Sequence, residues 1–304
     1  MISLFPDGTS RQKMEEKLIT GEDKDKIALI SIEGVISDET KDNFFGFSSE
    51  SMVSILKENL KNAERDKNVK GIILKINSPG GTVTASDIIY NEIMQFRKRT
   101  RIPVMTVFMD VGASGAYYIA MATDIVVAHP TSVTGSIGVI LQGINVKEGL
   151  DKIGIKDQSI TSGANKSIGS PLQELSPEQR IVLQGIINSM YDRFFSVVRK
   201  GRPKISEAKL RELCDGRIFT GTQAEKLGLV DMVGYFEDFV PTLMNHSNYR
   251  KSLNNNFPRI VTYIRGKGNV ENIYQATTEI RKENLLDRII HPSSSAKFYY
   301  LWSL

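Results

Sequence analysis

The sequence predicts an α/β domain built on a largely parallel sheet buried on both faces. Three observations carry this. Short, near-continuous apolar runs of strand length alternate with segments of helical period from residue 27 to 128. Each run ends at a cluster of small turn-forming residues. The chain of 304 residues has 40% hydrophobic and 24% charged residues, enough apolar material for a sizeable core.

Residues 1–26 are polar and charged and read as a flexible or helical lead-in. Ile27–Glu33 is the first strand, short and β-branched. Met52, Ile55, Leu56 and Leu60 recur at helical spacing, with Ser49 or Ser51 as N-cap. Val69–Ile76 is a second strand, stopped by Asn77-Ser78-Pro79-Gly80-Gly81. Helix period returns from Ala85 to Arg97. Pro103–Met109 is a third strand, followed by Gly112-Ala113-Ser114-Gly115 and a small-residue helix over 116–123. Asp124–Ala128 is a fourth strand. Beyond it, the pattern gives a helix near 145–152, a strand near 156–161, a long helix over 177–200 and a shorter one over 206–213. Residues 216–244 read as turn, helix and final helix. Polar, Asn-rich sequence from about 245 marks a linker, and 259–288 reads as one strand and one helix. The expected division is a lead-in over 1–26, a catalytic domain over 27–244, and a linker with C-terminal extension over 245–304.

Composition excludes several function classes. Lys and Arg total 39 against 35 Asp and Glu, a net +4 that gives no reason to expect nucleic acid. A single cysteine, Cys214, excludes an intrachain disulfide and a multi-cysteine metal cluster. The 3 histidines, His129, His246 and His291, are not in metal-ligand spacing, so neither metal nor cofactor is expected. No run of about 20 apolar residues is present, and the N-terminus lacks a signal-peptide core.

The chemistry lies at strand ends, where open α/β sheets bind ligands. Gly80 and Gly81 make either a tight turn or a source of backbone N–H groups for an oxyanion. Ser114, set among small residues at a strand-to-helix turn, is either an N-cap or a nucleophile on an elbow. In the second case the N–H of Gly115 faces the same place. A serine nucleophile needs a base. His129 is nearest in sequence but has no evident carboxylate to orient it. Lys166, in the small-residue loop Thr161–Ser167, is the alternative, and it works only as a free amine. Thr134-Gly135-Ser136-Ile137-Gly138 is a third small cluster, a turn or a site where Ser136 meets a buried amine. Cys214, Tyr117 and Tyr118 read as packing residues, and Asp87 and Glu92 as surface charges.

The ordered set Ile76–Gly81, Gly112–Tyr118, Thr134–Gly138, Ser162–Lys166 and Asp215–Gly221 resembles the bacterial signal peptide peptidase A family of serine–lysine proteases. The resemblance covers residues 27–244. It implies a Clp protease/crotonase-like fold of stacked βαβ units. It assigns Ser114 as nucleophile, Lys166 as general base, Ser136 as the serine that orients the lysine, and Gly81 and Gly115 as oxyanion-hole donors. It implies peptide substrates, cleaved signal peptides foremost, and a homo-oligomeric ring, an octamer by family precedent, in which serine and lysine meet between protomers. It places the catalytic domain outside the bacterial cytoplasmic membrane, held by an anchor that this sequence does not contain. A phage-type capsid maturation protease of the same family, a crotonase-type acyl-CoA enzyme and a non-enzymatic ring scaffold are the rival readings. The aromatic end Phe298-Tyr299-Tyr300-Leu301-Trp302 is expected to pack on a neighbouring subunit, touch lipid, or be a loose terminus.

Overall fold

The structure is a computed structural model that describes residues 13–39, 41–42, 48–252, 257–265, 272 and 298–302. In chain order the first elements are β1 (Glu15–Thr20), β2 (Lys26–Glu33), β3 (Lys41–Asp42), β4 (Ser48–Ser49), α1 (Met52–Arg65), β5 (Val69–Ser78) and β6 (Gly80–Thr82). Next come α2 (Val83–Thr100), β7 (Val104–Ala113), α3 (Gly115–Ala120), β8 (Ile125–Ala128), β9 (Val133–Gly135) and β10 (Ile140–Leu141). The C-terminal half adds α4 (Lys147–Lys152), α5 (Pro177–Gly201), α6 (Glu207–Leu213), β11 (Ile218–Thr220), α7 (Gly221–Lys226) and β12 (Met232–Val233). The last elements are α8 (Phe236–Met244), β13 (Arg259–Ile264) and β14 (Phe298–Leu301).

The main sheet runs β1-β13-β2-β5-β7-β8-β12, parallel from β13 to β12, with β1 antiparallel at its edge. The apolar runs are nearly continuous because both faces are covered. Successive side chains of a strand point to opposite faces. Ile27, Leu29, Ile73, Met105 and Val107 therefore pack under Phe239, Val240 and Leu243 of α8. Ala28, Ile30, Ile72, Leu74 and Ile76 face the larger core with α1, α2, α3 and α5. Of the two candidate caps for α1, Ser51 is the one used, its Oγ accepting from Ser54 N at 3.2 Å. The long helix α5 starts at a capping box between Ser176 and Gln179, with Pro177 in its first turn.

Three expectations change. Residues 15–20 are strand β1, not a flexible or helical lead-in, because β13 offers them an antiparallel partner. No strand forms over 156–161: Ile160 is 100% exposed, and among the described residues no other strand lies alongside. Tyr300, in the aromatic end, is fully buried in its own chain's core. The part of the expected helix over 259–288 that follows β13 lies outside the described residues, Arg265 and Asn272 excepted. Among the described residues no helix is long and apolar enough to cross a membrane.

A partly buried ion cluster ties the sheet edge to α1. Lys26 Nζ donates to Glu16 Oε1 and Asp66 Oδ2, both at 2.7 Å. Burial alone would lower the Lys26 pKa, but the hydrogen bonds to Asp66 and Glu16 outweigh it and raise it above the usual 10.5. Burial likewise pushes Asp66 up, and the Lys26 hydrogen bond overrides it, holding the carboxyl below 3.8. A depressed carboxyl stabilises the fold above its unfolded value and loses that contribution as pH falls through its folded value. The Tm gap between wild type and Asp66→Asn should therefore be full at neutral pH and shrink below pH 3.8. Calorimetry across pH 2–7 checks this; a gap that stays constant into the acid range would exclude it.

Candidate active site

The site forms where β6, β7 and β9 end. Ser114 sits between β7 and α3 with φ 53° and ψ −114°. That is a costly backbone for a residue with a Cβ, worth about 1–3 kcal/mol of strain. It is held from one side by Ser114 N, which donates to Gly135 O at 2.8 Å. Ser114 is 1% exposed, and its Oγ has no hydrogen-bond partner. It makes no capping bond to α3. The N-cap reading of this serine therefore fails at the side chain, while the elbow reading keeps its geometry.

Strands β7 and β9 run parallel in the register Val111↔Val133, Gly112↔Thr134, Ala113↔Gly135. Ser114 and Ser136 each follow the last pair, so the two serines stand side by side. Ser136 also has a positive φ, 50°, and its N donates to Arg217 O at 2.7 Å. Thr134 Oγ1 donates to Gly112 O at 2.7 Å and ties the two strand ends together.

Gly81 reaches the same place from β6. One edge of β6 is taken by Ile36, whose N donates to Gly80 O and whose O accepts from Thr82 N, both at 2.8 Å. Strand geometry then turns the N–H of Gly81 to the opposite edge. Gly115 lies there: a Cβ on Gly115 would sit 3.2 Å from Gly81 N and 2.5 Å from Ser86 Oγ. Gly115 opens α3, and the first N–H groups of a helix have no partner within it. Two backbone donors thus converge beside a serine.

Lys166 is not brought to this point within one chain. It lies on an exposed turn, its N donating to Gly163 O at 3.0 Å, while Ser114 Oγ stays without a partner. His129 is held elsewhere: its Nδ1 lies 2.9 Å from Phe108 O, and its ring packs edge-on against Tyr235 and Phe239. Cys214 is buried, and burial pushes its thiol up to about 12. Among the described residues no three His, Cys, Asp or Glu side chains gather as metal ligands.

One neighbour escaped the sequence reading. Asp87 is no free surface charge; it accepts from Tyr118 Oη and from Arg193 Nη2, the latter at 2.9 Å. It thereby links α2, α3 and α5. Its partners lie 31 and 106 residues away, so no local pattern marks it.

A family model described as Peptidase family S49 matches residues 96–250. The chain is 41% identical over 234 residues to "Putative signal peptide peptidase SppA" of Enterococcus faecium, covering 77% of this chain and 67% of that protein. It is 35% identical over 217 residues to "Protease 4" of Haemophilus influenzae, 71% of this chain but 34% of that protein. Against "Serine protease SPPA, chloroplastic" of Arabidopsis thaliana the identity is 32% over 212 residues, with 69% and 31% covered. The chain thus spans about a third of the length of the last two.

Proposed function

This chain belongs to peptidase family S49 and is a serine protease with that family's Clp protease-like fold; we propose that Ser114 is its nucleophile, Lys166 its general base and signal peptides its substrates. The observation that carries the nucleophile is the strained, buried Ser114 with a partnerless Oγ, set against the N–H groups of Gly81 and Gly115. Membership of a peptidase family sets aside the acyl-CoA and scaffold readings.

In this reading the Ser114 hydroxyl proton passes to the free amine of Lys166 as Oγ attacks the peptide carbonyl. Ser136, beside Ser114, orients the amine. The N–H groups of Gly81 and Gly115 hold the tetrahedral oxyanion, each worth about 3 kcal/mol in comparable sites. The C–N bond then breaks, Lys166 gives the proton to the leaving amine, and water hydrolyses the acyl-enzyme.

Lys166 arrives from a second copy. The segment that carries it is rich in exposed apolar side chains: Ile144 and Ile181 are each 72% exposed and Ile160 100%. Large apolar side chains left uncovered along one segment are what a partner surface would cover. A ring of copies, eight by family precedent, would cover it and set Lys166 beside a neighbour's Ser114. The signal-peptide substrate follows the name of the Enterococcus relative, and a place at the bacterial cytoplasmic membrane follows the sequence resemblance alone.

The test is labelling with a fluorophosphonate alongside hydrolysis of a quenched fluorescent signal peptide. Hydrolysis should occur, and the added mass should map to Ser114. Full inhibition with the added mass on another residue and Ser114 unlabelled would overturn the assignment.

A further inference from the structure

We propose that Asp215 and Arg217 are positioning residues that aim Ser136, an inference that rests on the reading of Ser136 as the serine that orients the lysine. Asp215–Gly221 is the one motif of the ordered set that the mechanism leaves without a task. Ser136 holds φ 50°, a conformation that persists only where its surroundings fix it. The peptide unit that enters it, between Gly135 and Ser136, is held at both edges. Its carbonyl, Gly135 O, accepts from Ser114 N at 2.8 Å, and its N–H donates to Arg217 O at 2.7 Å.

The two edges differ in what secures them. The first bond joins the ends of β7 and β9, which the Thr134 hydroxyl also ties together. The second hangs on one carbonyl at the end of a turn. That carbonyl is seated against β9: a Cβ on Gly135 would lie 2.9 Å from Arg217 O. Turning Arg217 O away would leave the peptide plane free to tilt, and the Ser136 side chain would move with it.

An ion-paired turn holds the carbonyl in place. Asp215 Oδ1 accepts from Arg217 N at 3.1 Å and from Arg217 Nε at 2.8 Å, and Asp215 Oδ2 accepts from Arg217 Nη2 at 2.6 Å. Gly216 between them takes φ 93°, which glycine adopts without a Cβ penalty. The turn is anchored on both flanks: Cys214 O accepts from Tyr191 Oη at 2.7 Å, and Ile218 pairs with Gly135. The Arg217 hydrogen bond holds the Asp215 carboxyl down to about 2, so the pair stays ionised at neutral pH. Both side chains are about half exposed, 55% for Arg217 and 47% for Asp215, and an ion pair so exposed adds little stability. A fork of two bonds between guanidinium and carboxylate instead fixes direction.

The test is kcat and KM of full-length variants on the quenched fluorescent peptide, with Tm and oligomeric state measured alongside. Asp215→Ala should lower kcat about tenfold and leave KM within about twofold, because a misaimed serine slows the chemical step and not binding. Asp215→Asn keeps an acceptor for Arg217 N and should hold kcat within about threefold of wild type. On a Ser136→Ala background the Asp215→Ala change should cost less than about twofold, since the side chain it aims is gone. The same tenfold cost on that background, or a rise in KM that accounts for the whole loss, would overturn the proposal. Should Asp215→Ala not fold, Arg217→Ala decides, because it removes the ion pair and keeps every backbone group. It should lower kcat about threefold when Ser136 is present and leave it unchanged in Ser136→Ala; an equal loss in both would count against the proposal. A Ser136→Ala protein with wild-type kcat would remove the orienting serine and this inference with it. A loss in Ser136→Ala with none in Asp215→Ala would remove the inference alone.

Discussion

Replacing Ser114 with alanine should lower kcat by about 10⁴–10⁶-fold and leave Tm unchanged or slightly raised. The loss follows from removing the oxygen proposed to attack. The stability result follows from the side chain's surroundings. A plain N-cap serine costs about 1 kcal/mol when truncated, because a helix N–H loses its acceptor. Ser114 Oγ bonds to nothing, so its removal leaves no donor orphaned and takes a polar atom out of a buried place. Ser114→Gly should go further: glycine accepts φ 53° without the Cβ penalty, so Tm should rise by a few degrees for about 1 kcal/mol of relieved strain. Activity and stability then move in opposite directions at one position, as expected where strain serves function. Peptidase assays with calorimetry on the three proteins check it. A fall in Tm of cap-loss size with activity retained would return Ser114 to the role of a helix cap.

The sheet was legible because burial on both faces leaves a local mark. Ile27–Glu33, Val69–Ile76 and Asp124–Ala128 are apolar runs whose ends match β2, β5 and β8 within about two residues. Strand β1 was not legible: half of Glu15–Thr20 is charged, and only its partner β13, far along the chain, makes it a strand. The same holds for β14, whose aromatic residues read as a surface until β6 and β10 are placed on either side. At the site, the small residues around Ser114 signalled a tight strand-to-helix turn, and Ser114 there has a positive φ. Lys166 had no such signal. A lysine in a small-residue loop is usually a solvated charge, and only the resemblance singled it out. Within one chain it remains exposed, since what would desolvate it is not part of that chain's own packing.

That exposure sets up the second large effect. Lys166→Ala alone should lower kcat by about 10²–10⁴-fold, the range for loss of a general base. Mixing it with Ser114→Ala, after dissociation and reassembly, should restore activity although neither variant has any to speak of. If each site takes its serine from one copy and its lysine from the next, some junctions pair the intact serine of a Lys166→Ala subunit with the intact lysine of a Ser114→Ala subunit. In an equimolar random ring about a quarter of the sites are of this kind, so recovery should approach a quarter of wild-type activity. A site built within one chain gives no recovery, because every chain lacks one of the two groups. A head-to-tail contact of the kind proposed would have a second consequence. Ile144, Ile160 and Ile181 are exposed in the single chain, so Ile160→Asp should weaken the ring and lower activity together, with Ser114 untouched. Native mass spectrometry of the mixture supplies the control. Mixed rings without recovered hydrolysis would place Lys166 outside the neighbour's site, and the base would have to be sought within the chain that carries Ser114.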